Sequence, residues 1–198
     1  MINEITIVST QRELDDIPLM TEEYKIKKLI LVCNEAINQS DLENNPMLES
    51  IDVDILNLNV KHIDLEVTCS IISEFLIKEA ENSTNDIVVK LSLENYMLNI
   101  SLYYAACFNK DIIKSVLIFD NKLKKILHLP LFDYKLSEAK RAILTNIEDG
   151  KNTIEDIAEA VGRSNSMVYN HIRDLREIGL LEKDSLKLNN SAKILLSL

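Results

Sequence analysis

A chain of 198 residues, 46% hydrophobic and 27% charged, with mean hydropathy near zero, has the composition of a globular protein able to bury its own core. Its formal net charge of −10 excludes a protein that coats nucleic acid over its whole surface. The longest apolar run, "YMLNISLYYAACF", falls short of the ~20 residues a membrane helix needs and is interrupted by Asn99 and Ser101. The charge is uneven: residues 1–136 hold 13 Lys and Arg against 22 Asp and Glu, whereas residues 163–193 hold six against four. "MINEITIVST" lacks the basic and then apolar order of a signal peptide, so a cytoplasmic protein with no membrane partner is expected. Cys33, Cys69 and Cys107 each stand alone among apolar residues, which predicts buried free thiols rather than disulfides or a metal site.

Along the first part of the chain, "EITIVS" (4–9), "KLILVC" (28–33), "VDILNLNV" (53–60) and "DIVVKLS" (86–92) read as strands. Most are nearly continuously apolar, the pattern of a parallel sheet covered on both faces. "LEVTCSIISEFLIKEAEN" (65–82) reads as a helix, with Val67, Ile71, Phe75 and Lys78 at helical spacing. "NYMLNISLYYAACF" (95–108) is a second helix, with Leu98, Leu102, Ala105 and Ala106 on one side. "SVLIFDNKLKKILHLPLF" predicts an antiparallel hairpin turning at Asp120-Asn121. The fold class expected is α/β: a Rossmann-like sandwich over 1–135, mostly parallel with a terminal hairpin, then a second domain over 136–198.

The second domain reads as three helices and a wing. Ser137 caps a helix whose Ala139, Ile143, Leu144 and Ile147 face inward, and the helix ends at Gly150. Thr153 caps the next, with Asp156 placed to reach back and Ile154, Ile157, Ala158 and Val161 as its apolar stripe. Gly162 supplies the turn. Ser164 caps the third, with Val168, Ile172 and Leu175 inward, and Gly179 ends it. "LLEKDSLKLNN" is then a short hairpin pivoting near Asp184-Ser185.

"TIEDIAEAVGRSNSMVYNHIRDLREIGLLEKD" resembles the winged helix-turn-helix family in its "IA" helix end, glycine turn, serine-capped helix and closing "L..GL". The resemblance implies that the third helix enters a major groove of double-stranded DNA. Its outward residues Asn165, Ser166, Met167, Tyr169, Asn170 and Arg173 would then face bases, Asn and Arg being suited to adenine and guanine. Amides near Ser164 suit a phosphate, and Arg163, Lys183 and Lys187 would hold others from the turn and the wing. The plainer reading pairs Arg173 and Arg176 with Asp174 and Glu177 on the surface, and makes His171 a packing or surface residue.

The join of the two domains resembles the CARF–winged-helix regulators associated with CRISPR systems. The residues that carry this are "TIVST", "KIKKLILVCNE", "DIVVKLSLENYMLNISLYYAACF" and "VLIFDNKLKKILHLPLFD". The resemblance implies a homodimer that binds cyclic oligoadenylate or another nucleotide through the loops after the first and fourth strands. By position those loops offer Ser9, Thr10, Gln11 and Arg12, then Ser92 and Asn95. The family's fourth-strand loop is rich in glycine, whereas this chain has "SLEN" with an added acid, Glu94. For Ser9 and Ser92 the plain alternative is a small polar residue ending a strand.

There is no GxGxxG, P-loop, GxSxG or HExxH, and His62, His128 and His171 fall in different elements. No catalytic residue, metal or cofactor is therefore expected. The function expected is a dimeric transcriptional regulator. Two alternatives stand beside it: a ligand-free adaptor whose winged helix contacts protein, and a nucleotide-cleaving sensor enzyme.

Overall fold

The computed structural model describes residues 4–10, 20, 21, 24–34, 42, 46–58, 64–92, 95–120, 125–132 and 136–197. The chain divides into two compact units, Met1–Asp133 and Tyr134–Leu198. Gln11 and Arg12, Glu94, the Asn121 turn position and His62 lie outside the described residues.

The first unit is built on six strands: β1 (Glu4–Ser9), β2 (Lys25–Cys33), β3 (Asp52–Asn57), β4 (Asp86–Leu91), β5 (Ile113–Asp120) and β6 (Lys125–Leu129). They form one sheet in the order β3-β2-β1-β4-β5-β6. All neighbours are parallel except β5 and β6, which pair antiparallel from Val116↔Leu129 to Asp120↔Lys125. The mostly parallel sheet with its terminal hairpin is the Rossmann-like architecture that the apolar runs predict. β2 begins three residues before its apolar run, because Lys25 and Ile26 still find register with Glu4 and Ile5.

Strand alternation sends Ile5, Ile7, Leu29, Leu31, Val88 and Leu117 into one core cluster, closed by Met20 and Leu48. On the other face lie α1 (Leu65–Asn82) and α2 (Tyr96–Phe108). α2 buries Leu98, Leu102, Ala105 and Ala106, the side that its spacing predicts. α1 forms where its spacing predicts a helix, but the residues that mark that spacing are not its buried side. Its buried residues are Thr68, Cys69, Ile72, Ser73, Leu76 and Glu79, while Val67 is 52% exposed and Lys78 is exposed. The reason is electrostatic as well as steric. Lys28 reaches up from β2 to Glu79 at 3.0 Å and to Asp54 at 2.8 Å, so the buried side of α1 has to carry a carboxylate. Burial works against the Lys28 charge, and hydrogen bonds to Asp54 and Glu79 outweigh it, leaving the ammonium pKa raised. Cys33, Cys69 and Cys107 are buried free thiols. Burial pushes the Cys69 thiol up to about 12, with neighbouring Cys107 adding to the effect, so it stays protonated and inert.

The second unit contains four helices: α3 (Glu138–Glu148), α4 (Ile154–Val161), α5 (Asn165–Glu177) and α6 (Asn190–Ser197). Each of the first three opens on the cap its sequence offers, Ser137, Thr153 and Ser164 accepting from Lys140, Asp156 and Met167 amides. Thr153 Oγ1 also donates to Asp156 Oδ2 at 2.6 Å. Ile143, Leu144, Ile147, Ile157, Val168, Ile172 and Leu175 form the buried interior between them. Gly162 and Gly179 sit at φ +62° and +75°, and an added Cβ would meet nothing within 4 Å at either. Backbone conformation, not space, selects glycine there. Two expectations need revision. Residues 190–197 form α6, which buries Ala192, Ile194 and Leu195, whereas the sequence predicts a hairpin through Asn190 and no element after it. The wing itself is reduced to one bridge, Leu181↔Leu188, flanked by Glu182 N–H to Lys187 O at 3.0 Å and Asn189 N–H to Leu180 O at 3.1 Å.

Candidate functional site

Two places combine exposure with directed polar groups. The first is the outer side of α5. Val168, Ile172 and Leu175, each at most 1% exposed, fix its rotation, and the rest of the helix is thereby turned outward. Asn165, Ser166, Met167, Tyr169, Asn170 and Arg173 are all exposed, as are Arg163 and Ser164 at its entry and Lys183 and Lys187 on the wing. Two polar ties hold the C-terminal part of the helix. Lys140 of α3 bonds Asp174 at 3.0 Å, and this hydrogen bond keeps the Asp174 carboxyl below its usual range. Arg176, half-buried, donates to the Ser185 carbonyl at 3.3 Å and so ties the wing to the helix. Of the surface pairs foreseen, Arg173 and Glu177 lie 3.9 Å apart, both well exposed. Such a pair is worth well under ~1 kcal/mol and leaves Arg173 able to turn to another partner.

The second place is at the carboxyl ends of β1 and β4. These two strands are neighbours in the sheet, and β1 connects onward to one side while β4 connects to the other, so the gap above them is the topological switch point. Thr10, Ser92 and Asn95 meet there. Thr10 Oγ1 bonds Asn99 Oδ1 and lies 3.3 Å from Ser92 Oγ. Asn99 Oδ1 also accepts the Ser92 amide at 3.0 Å, and Asn99 Nδ2 donates to the Ser92 carbonyl at 2.8 Å. Asn95 caps α2, accepting from the Leu98 amide, and takes φ 38°, the left-handed region where asparagine is tolerated far better than most residues. Its Nδ2 reaches Asn34 Oδ1 at 3.3 Å. Asn95 at the end of "SLEN" thus adopts a conformation more usual for glycine.

Ser9 is fully buried, Thr10 and Ser92 nearly so, and Asn95 is exposed. Ser9 and Ser92 therefore shape the strand ends from beneath. The sequence reading missed three residues here. Lys90, 1% exposed, sits in register with Ser9. Its signal was a charge inside the apolar strand "DIVVKL". Asn99 organises the cluster, although in the sequence it only interrupted an apolar helix. Asn34, one residue past β2, gave no signal at all.

Comparison with known proteins adds one family. Residues 137–183 match the family model of bacterial regulatory proteins of the arsR family. The matched segment runs from the cap of α3 to the first wing lysine and includes Arg163 to Arg173; Lys187 and α6 lie beyond it. No curated protein matches the chain. Among solved structures, Csm6 of Enterococcus italicus bound to cyclic hexa-2'-fluoro-hexa-dAMP is 9% identical, with a TM-score of 0.48, covering 89% of this chain and 55% of that one. Can2 from Sulfobacillus thermosulfidooxidans in complex with cyclic tetra-adenylate is 10% identical, with a TM-score of 0.46, covering 99% of this chain and 63% of the other. The chain thus spans between half and two thirds of the length of either.

Asn99 provides a direct test of the switch-point cluster. Asn99→Ala removes the side-chain acceptor of the buried Ser92 amide and one of two acceptors within reach of the Thr10 hydroxyl, and is expected to destabilise the first unit by about 1–3 kcal/mol in urea denaturation. An unchanged midpoint would show that the cluster is held by other contacts.

Proposed function

We propose that the chain is a dimeric, cytoplasmic DNA-binding transcriptional regulator, not an enzyme, whose first unit takes a nucleotide of the cyclic oligoadenylate class. The observation that carries the DNA half is the outer side of α5. A serine-capped helix presents neutral polar groups and Arg173 outward, with Arg163, Lys183 and Lys187 exposed at its entry and on the wing. The arsR-type match over the same residues supports it. Placed in a major groove, the helix offers its start to base edges while the turn and wing cations meet phosphates. In an acidic chain, the segment 163–193 has six basic residues against four acidic ones, so electrostatic attraction is local and modest.

Dimerisation is supported by apolar groups left outside. Tyr96 is 74% exposed, Ile100 40% and Val67 52%, on the two helices that cover one face of the sheet. Tyr96 directly follows Asn95, so a partner docked on this face would bring a second switch point beside the first. That arrangement fits a cyclic nucleotide lying across the axis, with Thr10, Asn95 and Lys90 near it. A dimer would also space two recognition helices about one helical turn, ~34 Å, apart.

Three measurements test this. In fluorescence anisotropy across a salt series, the chain is expected to bind its own upstream DNA more tightly than scrambled DNA. Three phosphate contacts per protomer give a log–log salt slope of about −3 for each protomer engaged. Arg173→Ala should lower the specific affinity more than the non-specific one. Equal loss on both would reduce Arg173 to a phosphate contact, and salt-independent binding would favour a protein-binding adaptor. In light scattering, the mass is expected at twice the 22.6 kDa of one chain and should halve in Tyr96→Glu/Ile100→Glu; a dimer that survives both changes uses another face. In calorimetry, cyclic tetra- or hexa-adenylate should saturate at one ring per two chains. No heat with either ring, while DNA binding is intact, would remove the ligand half and leave the DNA half standing.

A further inference from the structure

We infer that the core of each half-site read by α5 is an A·T pair flanked by thymine methyls, with guanine confined to the position facing Arg173. This rests on the DNA-binding reading above and deepens it by naming the class of sequence. The buried residues Val168, Ile172 and Leu175 define one side of α5, and the row opposite them is Ser166, Asn170, Arg173 and Glu177, at steps of four, three and four. Through its first two turns that row is short and uncharged. Met167 and Tyr169 flank it, 44% and 54% exposed. Among the described residues of the second unit, the one other exposed large hydrophobic is Ile178, at the far end of the same helix.

Hydrogen-bond complementarity decides between base pairs. Guanine presents two acceptors to the major groove, and a single side chain matches them only with two donors, as arginine or lysine does. The first two turns of α5 contain neither. Adenine presents one acceptor and one donor, the mirror of the Asn170 carboxamide. An asparagine set against guanine would place its oxygen on an acceptor. Met167 and Tyr169 bring apolar surface to either side of Asn170, and in the major groove the C5-methyl of thymine is the apolar group available to them. Arg173 follows one turn further on, where Glu177 at 3.9 Å competes for its guanidinium.

The test is selection of binding sites by the full chain from a random duplex library, followed by anisotropy on the selected site. The wild type should discriminate A·T from G·C at the core position by about tenfold to a hundredfold, and Asn170→Ala should reduce this to about threefold or less. Replacing each thymine in turn by uracil removes only the methyl. At one position per half-site it should weaken the wild type several-fold and leave Met167→Ala unmoved. Both residues are exposed, so the variants should melt as the wild type does. Selected cores of G·C, a preference that survives in Asn170→Ala, or a wild type indifferent to uracil would each overturn the inference while the DNA-binding reading stands. Failure to enrich any sequence, with binding insensitive to salt, would overturn both.

Discussion

Strands β1 and β4 lie side by side in parallel register from Ile5↔Asp86 to Ser9↔Lys90, and much of the first unit follows from that pairing. It brings Thr10 and Ser92, 82 residues apart, within hydrogen-bonding distance, and it leaves a gap above the strand ends because the chain departs to opposite sides. Buried polar groups at such a place have to be partnered, and Asn99 supplies the partners from the first turns of α2. α2 is therefore anchored to the strand ends by its second turn, and its first residue, Tyr96, is directed outward. The left-handed Asn95 completes the geometry, since the loop has to turn sharply from β4 into a helix whose position Asn99 already fixes.

The second unit follows a different economy. Its shape depends on side-chain caps at its helix starts, glycines at positive φ and an interior of Ile, Leu and Val, all drawn from a short stretch of chain. Polar ties then orient the outer parts, Lys140 to Asp174 between helices and Arg176 to Ser185 between helix and wing. The residues proposed to face DNA take little part in this scaffold, so they can be changed without unfolding it. With so small a basic excess, one unit would hold DNA weakly. Under the proposed reading, affinity comes from two units acting together, and a ligand that altered their spacing would alter the affinity.

Where the sequence misled, the cause was a polar residue on a buried face or an apolar one on an open face. In α1 the spacing of Val67, Ile71 and Phe75 marks the helix but not its core side, which is broken by Thr68, Ser73 and Glu79. Glu79 is acceptable there only because Lys28 arrives from β2, a partner more than 50 residues away. The closing helix α6 was missed because "LKLNNSAKILLSL" has two short apolar runs that suit a wing strand as well as a helix. Asn189 decides the matter by accepting the Ala192 amide at 3.1 Å.

The sequence by itself determined the strands of the parallel sheet, the two covering helices, and the cap, glycine and apolar spacing of the helix-turn-helix. Each of these depends on periodicity or on residues three or four apart, and such signals survive without knowledge of the fold. Only the tertiary structure decided which side of α1 is buried, that Asn99 belongs with Thr10 and Ser92, and that Arg176 holds the wing. Those outcomes depend on partners distant along the chain, whose desolvation or hydrogen bonding overrides the local pattern once strands and helices are packed together.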